Sequence, residues 1–208
     1  MADSNIFIHP KALVETEAIG PGTRVWAHAH IMRGVTIGPQ CNICDGVFIE
    51  SGTVIGRGVT VKPMVALGEG VTIEDGVFIG PGVVFTNDLR PRSPRLALAA
   101  PRYERKENWL LATRICTGAT LGAGVTVSCG ITVGAWSFSA AGAALLQSVP
   151  DFALMIGNPA RQIGYVCACA ENLSLQEGQA ACKACGRTYV LQQGRLQPTQ
   201  PIQLWENT

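Results

Sequence analysis

A six-residue repeat runs through the first three quarters of the chain and constrains its fold more than any other feature. Aliphatic or aromatic residues stand six positions apart fourteen times in succession from Phe7 to Phe85. The pattern returns at Ile115, continues to Val133 and fades toward Leu145. In most copies a smaller side chain lies two positions earlier, and in many a glycine lies three positions earlier.

A period of six fits neither the 3.6-residue period of a helix nor the two-residue alternation of a simple strand. Each unit is therefore a short extended stretch followed by a turn. The aliphatic residue points inward, and glycine adopts turn conformations that β-branched residues resist. One unit alone buries almost nothing, so stability must come from the stacking of successive units. The repeat predicts an all-β solenoid.

The repeat stops at residues 86–114, a long non-repetitive segment. Such segments are usually functional or disordered. This one carries seven basic side chains against three acidic ones, whereas the rest of the chain has nine basic and twelve acidic residues. Because arginine binds phosphates and carboxylates through paired hydrogen bonds, the segment is a candidate site for a diphosphate or a uronic acid. For any single arginine, loop solubility or an ion pair across a subunit interface is the alternative.

Five stretches of sequence resemble the family of nucleotide-sugar 3-N-acetyltransferases of surface-polysaccharide synthesis: FIHPKALVE, IGPGTRVWAHAHI, VFTNDLRPRS, VSCGITVGAWSF and SVPDFALMIGNPARQIG. GNPAR is shared with many hexapeptide acyltransferases, and FTN followed by PRS is more particular to the amino-sugar branch. Close members acetylate UDP-2-acetamido-3-amino-2,3-dideoxyglucuronate in the synthesis of O-antigen and similar polysaccharides. The resemblance implies a left-handed parallel β-helix over residues 5–165, in which three hexads form one triangular coil of eighteen residues.

Acetyl transfer to an amine needs an unprotonated nucleophile held near the thioester and donors for the developing oxyanion. In the resembling family the Asn of FTN, here Asn87, orients the sugar amine by hydrogen bonding, and the proton goes to solvent or to the departing CoA sulfur. From the residues alone, Asn87 is also a turn residue that closes the last regular hexad. Asp88 is either an acceptor for the proton of the ammonium group or a turn cap.

His30 is the last of the three histidines in the chain. If residues eighteen apart stack, it lies three coils below the neighbourhood of Asn87, about 14 Å away at ~4.8 Å per coil. We therefore assign no histidine base. His30 matches the HI pair of the family and is either a structural corner or a nucleotide contact, and Arg92 and Ser93 are the candidates for binding the anionic group of the substrate.

The resemblance also implies acetyl-CoA as co-substrate and a homotrimer with active sites between subunits. Acetyl-CoA would lie in the groove between adjacent subunits, against the C-terminal coils. The residues implicated are Gly118, Ser139, Ala141, Gly142, Ala160 and Arg161. Apart from Arg161, the sequence itself shows only small residues there, which let a backbone approach a ligand closely. Ordinary corner residues of the solenoid are the alternative.

The tail, residues 166–208, lacks hexads and contains four of the eight cysteines. They form two close pairs, Cys167 with Cys169 and Cys182 with Cys185, separated by a stretch long enough for a hairpin. This spacing is typical of tetrahedral zinc bound by four thiolates, and coincidental thiols are the alternative. We predict a structural zinc in a small zinc-ribbon-like module. The chain thus divides into an acetyltransferase domain, residues 1–165, and this tail.

Composition excludes several classes of protein. The 208 residues are 47% hydrophobic and 15% charged, enough for a packed core and unlike a disordered chain. A net charge of +1 argues against nucleic acid or an anionic membrane as a mainly electrostatic partner. The chain has no run of about 18 apolar residues and no basic segment followed by an apolar one at its start, which predicts a cytoplasmic protein that does not insert into membranes.

Three other functions remain as alternatives. Another acyltransferase of this fold would act on a dTDP-linked 3-amino-6-deoxyhexose, a sugar hydroxyl or an amino acid, and a hydroxyl would normally need a histidine base near the CoA sulfur. A γ-type carbonic anhydrase needs three histidines between subunits, two of them five apart, which His28 and His30 do not supply. A non-catalytic solenoid leaves GNPAR and the arginine-rich segment unexplained. We predict acetyl transfer to the 3-amino group of a nucleotide-linked sugar.

Overall fold

A computed structural model describes residues 5–205 of the chain. Residues 1–4 and 206–208, the outer ends of the two predicted segments, lie outside the described residues. Before the insertion the strands are β1 (Phe7–Ile8), β2 (Leu13–Val14), β3 (Arg24–Val25), β4 (His30–Ile31), β5 (Thr36–Ile37), β6 (Asn42–Ile43), β7 (Phe48–Ile49), β8 (Val54–Ile55), β9 (Thr60–Val61), β10 (Ala66–Leu67), β11 (Val71–Ile73), β12 (Phe78–Ile79) and β13 (Val84–Phe85).

The insertion contains the only α-helix in residues 5–205, α1 (Ala100–Tyr103), and a 3₁₀ turn, Lys106–Asn108. The solenoid then continues through β14 (Thr113–Ile115), β15 (Thr120–Leu121), β16 (Thr126–Val127), β17 (Thr132–Val133), β18 (Phe138–Ser139), β19 (Ala144–Leu145) and β20 (Ala153–Ile156). The remaining strands are β21 (Arg161–Val166), β22 (Asn172–Leu173), β23 (Gln179–Ala181), β24 (Thr188–Gln192) and β25 (Arg195–Pro198).

The solenoid has three parallel sheets, which we call faces A, B and C. Face A runs from β1 through β3, β6, β9, β12, β15 and β18 to β20, face B from β2 through β4, β7, β10, β13 and β16 to β19, and face C from β5 through β8, β11 and β14 to β17. In most coils, partners lie eighteen residues apart, as in Asn42 with Thr60. The predicted all-β fold, a parallel solenoid of stacked hexapeptide coils, is confirmed.

The insertion leaves the solenoid at the corner between faces B and C, and the chain rejoins the solenoid at the same corner; we call it the excursion. Across it, partner residues lie 42 positions apart, as in Val71 with Thr113 and Val84 with Thr126. The chain rejoins face C at Thr113, two residues before the hexad position Ile115, so the excursion covers residues 86–112 and not the predicted 86–114. Because the coils on either side pair directly, the insertion leaves the stacking order unchanged.

The core is a column of inward-facing side chains along the solenoid axis. Ile31, Ile49 and Leu67 are fully buried, as the hexad pattern predicts. Ser139 occupies an inward position where the pattern fades, and it too is fully buried, with an Oγ that has no hydrogen-bond partner among the described residues. No helix in residues 5–205 is long and apolar enough to cross a membrane.

The tail forms a separate small core against the end of the solenoid. Strand β21 pairs antiparallel with β20 and β22, and β23, β24 and β25 form an antiparallel sheet. Tyr189, Cys167 and Leu196 are buried there together with Phe152 of the last coil. The rings of Phe152 and Tyr189 meet edge to face at 5.3 Å, so the module is joined to the solenoid by aromatic packing.

Candidate active site and thiolate cluster

Asn87 lies at the corner between faces B and C, where the chain leaves the solenoid. The carbonyl of Asn87 accepts the N–H of Leu111 at 3.0 Å, and the Thr86 Oγ1 accepts the N–H of Cys129 at 3.0 Å. The first bond closes the base of the insertion, and the second ties the last regular hexad to the coil above. Among the described residues, the side-chain amide of Asn87 has no hydrogen-bond partner, and the residue is half-buried. A fixed backbone therefore presents a free amide at this corner.

Asp88 anchors the insertion. Its carboxylate accepts two hydrogen bonds from the guanidinium of Arg102 at 2.6 and 2.9 Å, one from the Tyr103 hydroxyl at 2.9 Å and one from the N–H of Arg90 at 2.8 Å. Burial opposes ionisation of this carboxyl, but the hydrogen bonds from Arg102, Arg90 and Tyr103 outweigh it and lower its pKa. A carboxylate with this many donors is a weak proton acceptor, so the geometry favours the turn-closing alternative.

Part of the positive charge of the insertion is neutralised within the chain. Besides Arg102, Lys106 pairs with Glu69 at 2.5 Å, and just after the insertion Arg114 of β14 pairs with Glu74 at 2.5 Å. Glu74 also accepts hydrogen bonds from Thr117. The Lys106 pair fastens the excursion to a neighbouring coil of the same chain, whereas the alternative stated from the sequence was an ion pair across a subunit interface.

Arg92 and Ser93 lie on the exposed part of the insertion, with Arg90 and Arg95 nearby. The N–H of Arg92 donates to the Tyr103 hydroxyl at 2.8 Å, and its guanidinium reaches only the carbonyl of Pro91 at 3.3 Å. The Ser93 Oγ accepts the N–H of Arg95 at 3.3 Å. Among the described residues no acidic side chain pairs with Arg92, so its guanidinium is available for an anionic group.

His30 stacks as the eighteen-residue spacing predicts. It pairs in register with Phe48, and the same column of face B continues through Ala66 and Val84. Its Nε2 contacts the Glu15 carboxylate at 2.9 Å, and its ring lies 5.3 Å from that of Phe48. The carboxylate partner of His30 is thus Glu15, on its own part of the solenoid. His30 lies three coils from the corner of Asn87, and no path for direct proton transfer joins His30 to Asn87.

The six residues predicted for acetyl-CoA do not lie together in one chain. Ala160 and Arg161 line a cleft of ≈ 400 Å³ at the C-terminal end of the solenoid, with Leu146 and Met155 among its other walls. Phe85, Val127 and Leu145 stack in register on three successive coils. Leu146 therefore occupies the same corner position as Thr86, two coils further along the solenoid. The cleft therefore lies about 10 Å along the axis from the corner of Asn87.

The other four predicted residues have different surroundings. Ala141 and Gly142 are exposed at the corner between faces A and B. Ser139 faces the core and its side chain is not accessible. Gly118 lies at the corner between faces C and A, where an added Cβ would come within 2.4 Å of the Trp136 ring, so packing within the chain already explains this glycine.

Two acidic residues near Asn87 were missed by the sequence argument. Glu69 precedes Asn87 by eighteen positions and so stacks one coil below it, a spacing that could have identified it. Glu50 lies one coil lower, and its Oε2 accepts the N–H of Glu69 at 2.8 Å. The corner that presents Asn87 is therefore acidic as well as polar.

The four tail cysteines converge, as their spacing predicts. Their Sγ atoms all lie within 4.8 Å of one another, with 3.4 Å between Cys167 and Cys185 and 3.6 Å between Cys169 and Cys182. Sulfur atoms about 2.3 Å from one tetrahedral zinc are separated by roughly these distances, whereas a disulfide requires about 2.05 Å. The cluster has the donor set and size for a metal ion.

Backbone geometry supports the same conclusion. The first cysteine pair lies in the turn between β21 and β22, and the second in the turn between β23 and β24. The N–H of Ala170 donates to the carbonyl of Cys167 at 2.8 Å, and the N–H of Gly186 donates to that of Cys182 at 2.9 Å. Both donors adopt left-handed φ angles, 71° for Ala170 and 74° for Gly186. Each turn thus folds its own thiols toward the centre.

Similarity to known proteins agrees with the fold. Residues 52–87 match the family described as bacterial transferase hexapeptide (six repeats). The chain is 43% identical over 183 residues to dTDP-3-amino-3,6-dideoxy-alpha-D-galactopyranose 3-N-acetyltransferase of Aneurinibacillus thermoaerophilus, a match that covers 88% of this chain and 90% of that protein. The chain belongs to the hexapeptide-repeat acetyltransferase family. This confirms the prediction of an acetyl-CoA-dependent N-acetyltransferase.

A solved structure gives the same fold. LpxA of Bacteroides fragilis 9343, a UDP-N-acetylglucosamine acyltransferase, aligns with a TM-score of 0.53 and 16% identity over 77% of this acetyltransferase and 61% of that chain. A hexapeptide-repeat acetyltransferase of Vibrio cholerae O1 biovar eltor, crystallised with acetyl coenzyme A, aligns with a TM-score of 0.48 and 27% identity over 58% of this chain and 64% of that one. The chain thus spans less than two thirds of both structures.

Proposed function

We propose that this acetyltransferase moves the acetyl group of acetyl-CoA to the 3-amino group of a nucleotide-linked sugar. The amine nitrogen bonds to the thioester carbonyl carbon, the carbon–sulfur bond breaks, and the CoA thiolate leaves and is finally protonated by the proton lost from nitrogen. The observation that carries the proposal is the free amide of Asn87, presented on a closed loop base at the corner that leads to the C-terminal cleft.

Asn87 orients the amine, Arg92 and Ser93 bind the anionic part of the nucleotide sugar, and Asp88 keeps the insertion folded around them. Ala160 and Arg161 in the cleft contact acetyl-CoA, with Ala141 and Gly142 contributed by a neighbouring subunit. This arrangement places acetyl donor and amine along one edge of the solenoid. It needs no histidine base, in keeping with the position of His30.

Two sugars fit this proposal. The sequence pattern favours UDP-2-acetamido-3-amino-2,3-dideoxyglucuronate, and the 43% identity to the Aneurinibacillus thermoaerophilus enzyme favours a dTDP-linked 3-amino-3,6-dideoxyhexose. Arg92 has no acidic partner among the described residues and suits a diphosphate, which both sugars contain. The 43% identity to that enzyme covers most of both chains, so the dTDP-linked sugar is the first substrate to test.

The test is CoA thiol release by the full chain with each of the two nucleotide sugars, comparing wild type with Asn87→Ala and with His30→Ala. We expect turnover of at least one sugar, a loss of about 10-fold or more in Asn87→Ala, and a far smaller loss in His30→Ala. Absence of thiol release with both sugars would contradict the proposed substrate class, and full activity of Asn87→Ala would contradict its role.

We further propose a homotrimer with the active site between subunits. Face B and the insertion expose large apolar side chains, including Leu13 (55% exposed), Val84 (48%) and Leu98 (84%), which a neighbouring subunit would cover. Light scattering of the purified protein should give three times the chain mass of 22.0 kDa. A monomer at assay concentration would contradict a site shared between subunits.

The thiolate cluster is proposed as a structural zinc site. Four sulfur ligands leave no open coordination position, and Cys167 and Cys182 are buried in the small core of the tail. The expected result is one zinc per chain by elemental analysis of protein purified without added metal, and a lower metal content in Cys182→Ser. Full metal content in that variant would exclude the four-thiolate site.

A further inference from the structure

One glycine at the corner of Asn87 differs from its counterparts along the solenoid. Glycine follows the inward-facing residue in several coils, and in most of these an added Cβ would lie 2.4 to 2.7 Å from an atom of the next coil; these are Gly20, Gly38, Gly56, Gly80, Gly122 and Gly134. At Gly68 the nearest atoms are 3.4 Å away or more. Packing within the chain therefore requires the other six glycines but not Gly68.

The cause of this difference is the corner. The other six glycines lie at the corners between faces C and A or between faces A and B, where the next coil runs directly over them, whereas the position of Gly68 at the corner between faces B and C carries a side chain in other coils, as at Glu50. The space that remains is bounded by side chains, since the Nδ2 of Asn87 and the Oε2 of Glu50 lie 3.4 and 3.6 Å from the position of the added Cβ. We call this space, over Gly68 and between Asn87 and Glu50, the Gly68 notch.

Both side chains of the notch have hydrogen-bonding capacity to spare. The Asn87 amide has no partner among the described residues, and rotation of its terminal torsion exchanges oxygen and nitrogen. The Glu50 carboxylate is oriented by the N–H of Glu69 at 2.8 Å, while its Oε1 accepts no hydrogen bond from any residue in the range 5–205. The carboxylate of Glu69 is instead engaged by Lys106. Glu50 is thus the oriented carboxylate at this corner with an acceptor still free.

We propose that the Gly68 notch receives the amino group of the substrate and that Glu50 is a second amine-binding residue beside Asn87. This inference rests on the proposed function. A primary amine has two N–H donors and one lone pair, so acceptors on Asn87 and Glu50 occupy both donors and leave the lone pair for the thioester carbonyl. A hydroxyl has a single donor and no positive form, so the pair selects an amine over a hydroxyl at the acetylated position.

The experiment uses the full chain, acetyl-CoA and whichever amino sugar the wild type acetylates. Gly68→Ala adds one methyl group to the notch, and because the φ of Gly68 is outside the left-handed region, the backbone accepts alanine. Glu50→Gln keeps the shape of the side chain and removes its charge. Gly164→Ala is the matched control, since its added Cβ would have no atom within 4 Å and its φ is also outside the left-handed region.

We expect kcat/KM for the amino sugar to fall about 10-fold or more in Gly68→Ala and in Glu50→Gln. The KM for acetyl-CoA and the melting temperature should stay at wild-type values, which a merely structural defect would not allow. Gly164→Ala should behave as wild type. Sugar kinetics within twofold of wild type in both notch variants would overturn the inference while leaving the proposed function intact. A wild type that acetylates no amino sugar would refute both.

Discussion

The C-terminal tail runs back along a groove that glycines create in the solenoid. Gly58, Gly76 and Gly118 stack at the corner between faces C and A, each linked to the coil below by a backbone hydrogen bond. An added Cβ on Gly58 would lie 2.3 Å from Cη2 of Trp205, and the Trp205 ring lies 4.4 Å from the guanidinium carbon of Arg57. Gly58→Ala should therefore detach Trp205 from the solenoid.

The expected cost has two parts. Gly58 has a φ of 66°, and alanine in this left-handed conformation costs about 1–2 kcal/mol. Displacing the ring loses a cation–π contact of about 0.5–1 kcal/mol and part of the burial of a large aromatic side chain, about 1 kcal/mol. The sum is about 2.5–4 kcal/mol. Gly124→Ala isolates the first part, because Gly124 has a φ of 65° and its added Cβ would meet no atom within 4 Å.

The assay is denaturant unfolding at one fixed protein concentration, since assembly would make stability concentration-dependent. Gly58→Ala should be less stable than Gly124→Ala by about 1.5–2 kcal/mol. In a Trp205→Ala background, this difference should disappear, because the ring that causes it is gone. Equal losses for the two glycine variants in the wild-type background would refute the packing of Trp205 on Gly58.

Three further predictions follow from single residues. Ser139→Ala should stabilise the protein by about 1 kcal/mol in thermal unfolding, since the buried Oγ has no hydrogen-bond partner in residues 5–205. Ala170 has a φ of 71°, a left-handed conformation that glycine adopts at lower cost than alanine. Ala170→Gly should therefore stabilise the tail by about 1 kcal/mol and make it more resistant to chelators. Because the pKa of Asp88 is lowered in the folded protein, its carboxylate anchors the insertion fully above about pH 4, and the anchoring is lost as the pH falls through the lowered pKa. Asp88→Asn removes the charge at every pH, so amide hydrogen exchange in the insertion should be fast already at pH 7.

Much of the solenoid could be predicted because its determinants are local and periodic. Every inward position from Ile31 to Ile79 in the hexad series is buried, and the stacking of His30 on Phe48 follows from counting eighteen residues. The cysteine spacing likewise predicted the convergence of Cys167 with Cys185, since two short turns bring them together.

The contacts of the insertion could not be predicted in the same way. Lys106 in the insertion pairs with Glu69, and Arg114 just after it pairs with Glu74, partners 37 and 40 residues away, and no spacing rule applies across a non-repetitive segment. The docking of Trp205 on Gly58 was missed for the same reason. The Gly68 notch depends on the side-chain orientations of Asn87 and Glu50 at the corner where the insertion begins, which the eighteen-residue spacing alone does not specify.

The central claim is that Asn87 directs acetyl transfer to an amine on a nucleotide-linked sugar. The most direct measurement is mass spectrometry of the sugar after incubation with acetyl-CoA and wild type or Asn87→Ala, with fragmentation to locate the new group. The account predicts one acetyl group on the 3-amino nitrogen with wild type and about a tenth as much or less with the variant in the same time. Acetylation of a hydroxyl, or equal product from both proteins, would contradict it.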